Sequence, residues 1–243
     1  MTIYPAIDLL GGKCVRLRQG RYDDCTVFSD DPVHTAKQWQ DAGAEFLHVV
    51  DLDGARGGSA QNFAAVSAIA SALSIPVQIG GGIRSEETIK TYLDAGITSV
   101  ILGTKAVQDR TFLAQILRKY TAKIVVGIDA KDGKVAVSGW EEVCGDTAVD
   151  FAKEAVRLGA QTIIYTDIAT DGMLSGPNLP AMQEMAAAVD ADIIASGGVG
   201  APGDVQALLS TGVSGVIIGR ALYDGKVQLA EAIAIAKGGD GAC

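Results

Sequence analysis

VQIGGGIRSEETIKTYLDAGITSVILGTKAV spans residues 77–107, and IIASGGVGAPGDVQALLSTGVSGVIIGRALY spans residues 193–223. Each runs from a short β-branched apolar segment into glycines, through a polar stretch of helical length, to a second apolar segment that again ends in glycine. Gly81, Gly82, Gly96 and Gly103 correspond to Gly197, Gly198, Gly212 and Gly219 at a constant offset of 116 residues. Self-similarity at a fixed spacing marks a repeated structural unit. Strand, helix, strand in that order predicts a parallel sheet with right-handed crossovers.

The same alternation extends outward over the chain. Apolar runs predict strands over 3–9, 46–52, 77–80, 99–103, 124–129, 162–168, 192–196 and 215–219. Helical patterns cover 32–42, 62–73, 85–95, 109–120, 147–158, 179–189, 201–210 and 226–237. Such pairing over 243 residues predicts an α/β fold closed into a (β/α)8 TIM barrel rather than an open sheet. Gly43, Gly96, Gly159 and Gly212 each follow a helical pattern and precede an apolar run, as C′ residues do. Asp31 before Pro32, and Ser85 before Glu86 and Glu87, read as helix starts.

A second repeat joins the remaining strands. AIDLLGGK at 6–13 matches GIDAKDGK at 127–134 at an offset of 121, pairing Asp8 with Asp129. GAEFLHVVDL at 43–52 matches GAQTIIYTDI at 159–168 at 116, pairing Asp51 with Asp167. Residues 1–243 therefore read as a single barrel domain built from two four-unit halves, about 1–122 and 123–243. The larger offset makes the first loop longer than the fifth. Its segment KCVRLRQGRYDDCTVFSDD, 13–31, has the length and polarity of a mobile lid or of a disordered loop. KGGDGAC at 237–243 is expected to fray.

The net charge of −9 argues against nucleic acid or an anionic membrane surface as partner. No apolar run is long enough to span a bilayer, and MTIYPAIDLL lacks the features of a signal peptide, which predicts a soluble cytoplasmic protein. Cys14, Cys25, Cys144 and Cys243 have neither zinc nor redox spacing, so they read as unpaired thiols.

In a (β/α)8 barrel the C-terminal strand ends carry the chemistry. Asp8 and Asp129 close the AID and GID strands, the first and fifth of the ring, and so should face each other across the mouth. Two facing carboxylates can divide base and acid duty if their surroundings separate their pKa values. One strand-end aspartate can equally be a helix cap; recurrence in both halves favours catalysis. Thr166 and Asp171 either touch the reacting centre or order the sixth loop, and Asp51 leans structural.

The glycines at 80–82 and 197–198 leave backbone N–H groups open to an anion, and each following strand ends at a helix start, Gly103-Thr104 or Gly219-Arg220. Two such sites in opposite halves imply a ligand with a phosphate at either end and its reacting centre between Asp8 and Asp129. Arg84 stands where it would neutralise substrate charge, while Arg16 and Arg18 are expected to alternate outward on the first-loop hairpin. Trp140 either stacks on a planar ring or packs under its own loop. His34 and His48 lack ligand-spaced partners, so no metal is expected.

PAIDLLGGKCVRLRQG, LHVVDLDGA, VQIGGGIRS, VILGTKAV, VGIDAKDGKVAVSGW, TDIATDGMLSGPN, IIASGGV and VIIGRALYDGK follow one another along nearly the whole chain. Together they resemble the phosphoribosylformimino-5-aminoimidazole carboxamide ribotide isomerases of histidine biosynthesis. The resemblance implies an Amadori rearrangement of an aldose to a ketose, with Asp8 as proton acceptor at the ribose C2′. It implies Asp129 as proton donor to the ring oxygen and Thr166 as an assisting hydroxyl. It further implies a bisphosphorylated small-molecule substrate held by Arg18, Gly81, Gly82, Arg84, Gly103, Thr104, Trp140, Asp171, Gly176, Gly197, Gly198, Gly219 and Arg220. Neither a cofactor nor an obligate protein partner is implied. Two neighbouring readings stay open. One is the sister cyclase subunit of imidazole glycerol phosphate synthase, against which PAID and SGW stand. The other is a dual-specificity isomerase that also accepts phosphoribosylanthranilate.

Overall fold

A computed structural model of the chain describes residues 1–18 and 20–238. Gln19, the side chain of Arg18 and residues 239–243, which hold most of the segment expected to fray, lie outside the described residues.

The strands in chain order are β1 (Thr2–Leu10), β2 (Lys13–Arg18), β3 (Arg21–Ser29), β4 (Leu47–Asp51), β5 (Val77–Gly80) and β6 (Ser99–Leu102). They continue with β7 (Ile124–Lys131), β8 (Lys134–Val137), β9 (Glu142–Thr147), β10 (Thr162–Asp167), β11 (Asp192–Ser196) and β12 (Gly215–Ile218). The helices are α1 (Pro32–Asp41), α2 (Leu52–Gly57), α3 (Phe63–Ala72), α4 (Glu86–Asp94), α5 (Thr104–Gln108) and α6 (Arg110–Tyr120). After them come α7 (Ala148–Arg157), α8 (Leu179–Ala188), α9 (Pro202–Leu208), α10 (Arg220–Tyr223) and α11 (Leu229–Ala236).

Eight strands pair in parallel in the order β1, β4, β5, β6, β7, β10, β11, β12, and Thr2 opposite Gly215 closes the ring into the predicted barrel. The ring strands are largely apolar on both faces because both are covered, with His48 and Gln78 among the buried polar exceptions. Ala6, Val125, Ile164, Ile194 and Ile217 fill the inside, while Ile7, Leu9, Val49, Ile79 and Ile128 pack outward among the helices. Side chains alternate along a strand. A strand that buries Ala6 or Val125 inside the ring therefore carries Asp8 or Asp129 inward at its open end.

The helices bury one stripe each. On α6, Leu113, Ile116 and Leu117 are buried at helical spacing, and truncating one to alanine would cost about 2–5 kcal/mol. Asp31 accepts from the His34 N–H at 2.9 Å and Ser85 from the Thr88 N–H at 3.2 Å, so both predicted helix starts are real caps, each worth about 1 kcal/mol. Among the described residues no helix is long and apolar enough to cross a membrane.

Three features refine the expectations. In the first loop β2 pairs antiparallel with β3, as the hairpin expected there, and joins the sheet through Asp8 opposite Val15. A second hairpin, β8 with β9, follows β7. Short helices α2, α5 and α10 start directly at strand ends; the strands predicted over 46–52, 99–103 and 215–219 stop before them. One or two turns of helix are too short to leave a periodic signature. The first loop, 11–31, is indeed longer than the fifth, 132–147.

Candidate active site

The C-terminal strand ends enclose a cavity of about 350 Å³. Asp8 on β1 and Asp129 on β7 both line it, and β1 and β7 lie opposite each other in the ring. The two carboxyl groups have different partners. Arg16 Nη1 donates to Asp8 Oδ2 at 2.6 Å, and Arg16 Nη2 donates to the Ala6 carbonyl at 3.0 Å. Burial pushes the Asp8 carboxyl up, and the Arg16 guanidinium draws it back toward the ionised form. Asp129 instead accepts from Trp140 Nε1 at 2.9 Å. Burial raises its pKa, while the Trp140 N–H and the Thr166 hydroxyl, opposite in register on β10, lower it. Neutral donors offset burial less than a cation does.

Asp171, on the loop after β10, is the third carboxyl of the cavity. Its pKa is pushed up to about 6, first by burial, with Arg16 opposing and the charges of Asp8 and Asp129 adding. A cluster of three acids and one guanidinium cannot hold all its carboxylates ionised at low cost.

Trp140 lines the cavity at the tip of the second hairpin and packs over Gly20 of the first. Ser138, Gly139 and Trp140 have φ of 56°, 68° and 74°, so two non-glycine residues accept a left-handed backbone. Strain of that kind, roughly 1–3 kcal/mol per residue, persists where surrounding contacts hold it. Here it turns the indole toward Asp129.

The glycine sites form the two ends of the cavity. Gly81, Gly82, Gly103 and Thr104 line one side, and Gly197, Gly198, Gly219 and Arg220 the other. A Cβ on Gly82 would collide with the Gly54 carbonyl, and one on Gly198 with the Gly176 carbonyl. Backbone stacked on backbone leaves no room for a side chain and keeps the N–H groups near the cavity. Gly176 is absent from the cavity wall; its N–H donates to the Gly198 carbonyl at 2.9 Å, bracing that turn. Arg84 lines the wall against Gly58, and Arg220 donates to the Gly172 carbonyl at 2.8 Å while pairing with Asp224. Thr104 accepts from the Ser138 N–H at 3.1 Å. Arg18, expected among the binding residues, has its side chain outside the described residues.

Asp51 and Asp167 are structural anchors. Asp51 is fully buried, caps α2 through the Gly54 N–H at 2.8 Å, and accepts from Asn62 Nδ2 at 2.7 Å. Asp167 accepts from the Ala169 N–H at 2.9 Å and from Asn178 Nδ2 at 2.5 Å. Each aspartate ties its strand end to the start of the next long helix.

The sequence profile of the family described as "Histidine biosynthesis protein" matches residues 2–228. The chain belongs to this family. It is 60% identical over 233 residues to a protein of Ruminiclostridium cellulolyticum, covering 96% of this chain and 99% of that one. It is 55% identical over 237 residues to a protein of Acetivibrio thermocellus, covering 98% and 100%. Both relatives are named 1-(5-phosphoribosyl)-5-((5-phosphoribosylamino)methylideneamino)imidazole-4-carboxamide isomerase. Like them, this member of the family is an isomerase of histidine biosynthesis, and neither the cyclase nor the dual-specificity reading is favoured.

Arg16 is the site residue that sequence reasoning misplaced. It was expected to point outward, yet its guanidinium lies in the barrel mouth, on Asp8 and 5.4 Å from the centre of the Tyr223 ring. The hairpin folds back over the rim, so the side that looks solvent-facing in sequence faces the cavity. Asn62 and Asn178 were also overlooked, although they stand at the same 116-residue offset as Asp51 and Asp167.

Proposed function

We propose that this protein catalyses the Amadori rearrangement of the substrate for which its relatives are named. The phosphoribosylamino aldose is converted to its phosphoribulosyl ketose, in the cytoplasm and without an obligate protein partner. The observation that carries this reading is one cavity with acids at its centre and glycine-rich strand ends on either side. A substrate with a phosphate on either arm would place its reacting ribose between Asp8 and Asp129.

The ring oxygen takes a proton as the C1′–O bond breaks and the substrate nitrogen forms C1′=N. Asp8, whose charged form Arg16 favours, then removes the C2′ proton, and the electron pair moves to the nitrogen through C1′. Loss of the O2′ proton and protonation of C1′ complete the ketose. The amine is its own electron sink, so acid–base groups suffice; each typically contributes about 10²–10⁴ in rate. Asp129 is the proton donor, with Thr166 holding its carboxyl. A second reading gives that role to Asp171, whose pKa near 6 suits a group that must carry a proton near neutrality.

Gly81, Gly82, Gly103 and Thr104 hold one phosphate, and Gly197, Gly198, Gly219 and Arg220 the other. Arg18 and Arg84 supply positive charge, Trp140 covers the planar ring, and Gly176 acts through Gly198. The matching offsets of Asp51–Asn62 and Asp167–Asn178 support the reading of the chain as two halves meeting near residue 122. The test is turnover of purified protein on three substrates: the aminoaldose, the ketose with ammonia, and phosphoribosylanthranilate. Activity on the first alone is expected; turnover of the second but not the first would overturn the reading.

A further inference from the structure

Arg16 holds Asp8, but nothing in the mechanism above holds Arg16. Its long side chain rises from β2 of the first hairpin and has much rotamer freedom to lose. Asp8 and Asp171 both act on its charge, yet among the described residues it donates only to Asp8 and to the Ala6 carbonyl. Two further contacts restrict it. The guanidinium lies directly against the Gly219 backbone, where a Cβ would collide with Nη2, Cζ and Nη1. It also stands over the Tyr223 ring, with Cζ 5.4 Å from the ring centre. Gly219 precedes α10 and Tyr223 is its last residue, so one four-residue helix supplies both supports.

The Tyr223 ring is itself fixed. Phe28 of β3 packs tilted on it with centroids 4.8 Å apart, and Trp39 of α1 meets it edge to face at 5.5 Å and 88°. Both spacings are those of attractive aromatic pairs. The Tyr223 hydroxyl has no hydrogen-bond partner among the described residues, so the ring rather than its polar tip is what Arg16 uses. A guanidinium is weakly hydrated and stacks on aromatic faces, and the attraction strengthens where water is excluded. The Arg16 side chain, 15% exposed, is such a case. The titratable groups facing the Arg16–Asp8 pair besides Tyr223 are Asp171 after β10, His48 on β4, Cys14 on β2, and Tyr22 and Cys25 on β3.

We infer that Tyr223 is a positioning residue, whose ring seats the Arg16 guanidinium against Gly219 and so keeps Nη1 on Asp8 rather than on Asp171. This rests on the proposed role of Asp8 as base. Tyr223 is absent from the wall of the catalytic cavity and acts only through Arg16. Without the ring the arginine side chain regains its freedom and pairs with Asp8 for less of the time. Asp8 then takes up a proton more readily.

The experiment measures kcat/KM against pH, with the phosphoribosylamino substrate, for Tyr223→Leu, Tyr223→Phe and Arg16→Met in the full chain. From the size of cation–π contacts, Tyr223→Leu is expected to move the acidic limb up by roughly half a pH unit, less than Arg16→Met, with Tyr223→Phe recovering most of the shift. A tyrosine that merely packed α10 would, once removed, loosen Gly219 and raise KM with the limb unmoved. That result, or equal shifts in Tyr223→Leu and Tyr223→Phe, would overturn the inference. In an Arg16→Met background Tyr223→Leu is expected to shift the limb no further; an equal added shift would show that the ring acts by another route and refute the seat. Leucine also empties part of the aromatic cluster and can weaken the fold, so a trifluorinated phenylalanine at position 223 gives an isosteric comparison. It fills the same space without the negative ring face, and the limb should move up relative to Tyr223→Phe; no movement would refute the seat. If the parent does not turn over this substrate, or Arg16→Met leaves the limb in place, the underlying reading falls and this inference with it. If Arg16→Met moves the limb and neither Tyr223→Leu nor the fluorinated ring does, this inference alone fails.

Discussion

Arg16 and Asp8, on the two antiparallel strands at the barrel mouth, form an ion pair at 2.6 Å in which each side chain is only 15% exposed. The pair favours the charged form of the proposed base against burial. Asp8 would be pushed toward the neutral acid by burial alone, and the guanidinium opposes this.

Arg16→Met is therefore expected to move the acidic limb of the kcat/KM profile to higher pH, because an unpaired Asp8 takes up its proton more readily. Breaking a part-buried pair from one side also costs up to about 3–5 kcal/mol of stability. Arg16→Lys should restore the limb in part. A pH–rate profile for the two variants beside the parent checks this; an unmoved limb in Arg16→Met would sink it.

Asp8→Asn and Asp129→Asn are each expected to lower kcat by roughly 10³-fold or more while leaving substrate affinity within about tenfold, since the anion sites are untouched. Single-turnover assays with calorimetric binding separate the two quantities. Near-normal turnover in either variant would remove that residue from the mechanism.

Asp171→Asn distinguishes the two donor readings. If Asp171 gives the proton, kcat/KM in the parent falls as pH rises through about 6, and the variant loses that limb along with most of its kcat. If Asp171 only orders its loop, KM rises and the limb stays.

The same substitution should stabilise the fold at alkaline pH. A carboxyl whose folded pKa is raised from 3.8 to about 6 favours the folded state below pH 4, and that contribution is lost as pH climbs through 6. Above pH 7 the charge costs the fold at most about 3 kcal/mol, less after solvent screening. Thermal melts should then show Asp171→Asn more stable than the parent at pH 8, with the gap closing toward pH 4. A gap that widens on acidification would contradict the direction of the shift.

Gly198→Ala is predicted to raise KM at least about tenfold and lower the melting temperature by several degrees. Its φ of 92° is unfavourable for alanine, and the added Cβ meets the Gly176 backbone, which cannot yield cheaply. Unchanged KM would remove this turn from the phosphate site.

The barrel was legible in the chain because its signals are local. Apolar runs, the caps at Asp31 and Ser85 and the glycines at fixed offset need only near neighbours, and they place the strands, the long helices and the Asp8 and Asp129 strand ends. The pairing of Asp51 with Asn62 and of Asp167 with Asn178 lies at the same offset but carries no hydrophobic signature, so spacing alone does not disclose it. Tertiary structure alone decided which way Arg16 faces, that Asp171 joins Asp8 and Asp129 in one cavity, and that His48 meets Gln78 at hydrogen-bonding distance. Those relationships depend on hairpins folding over the rim and on neighbouring strands aligned in register. Side chains far apart in sequence then meet at hydrogen-bonding distance, where burial sets their charge.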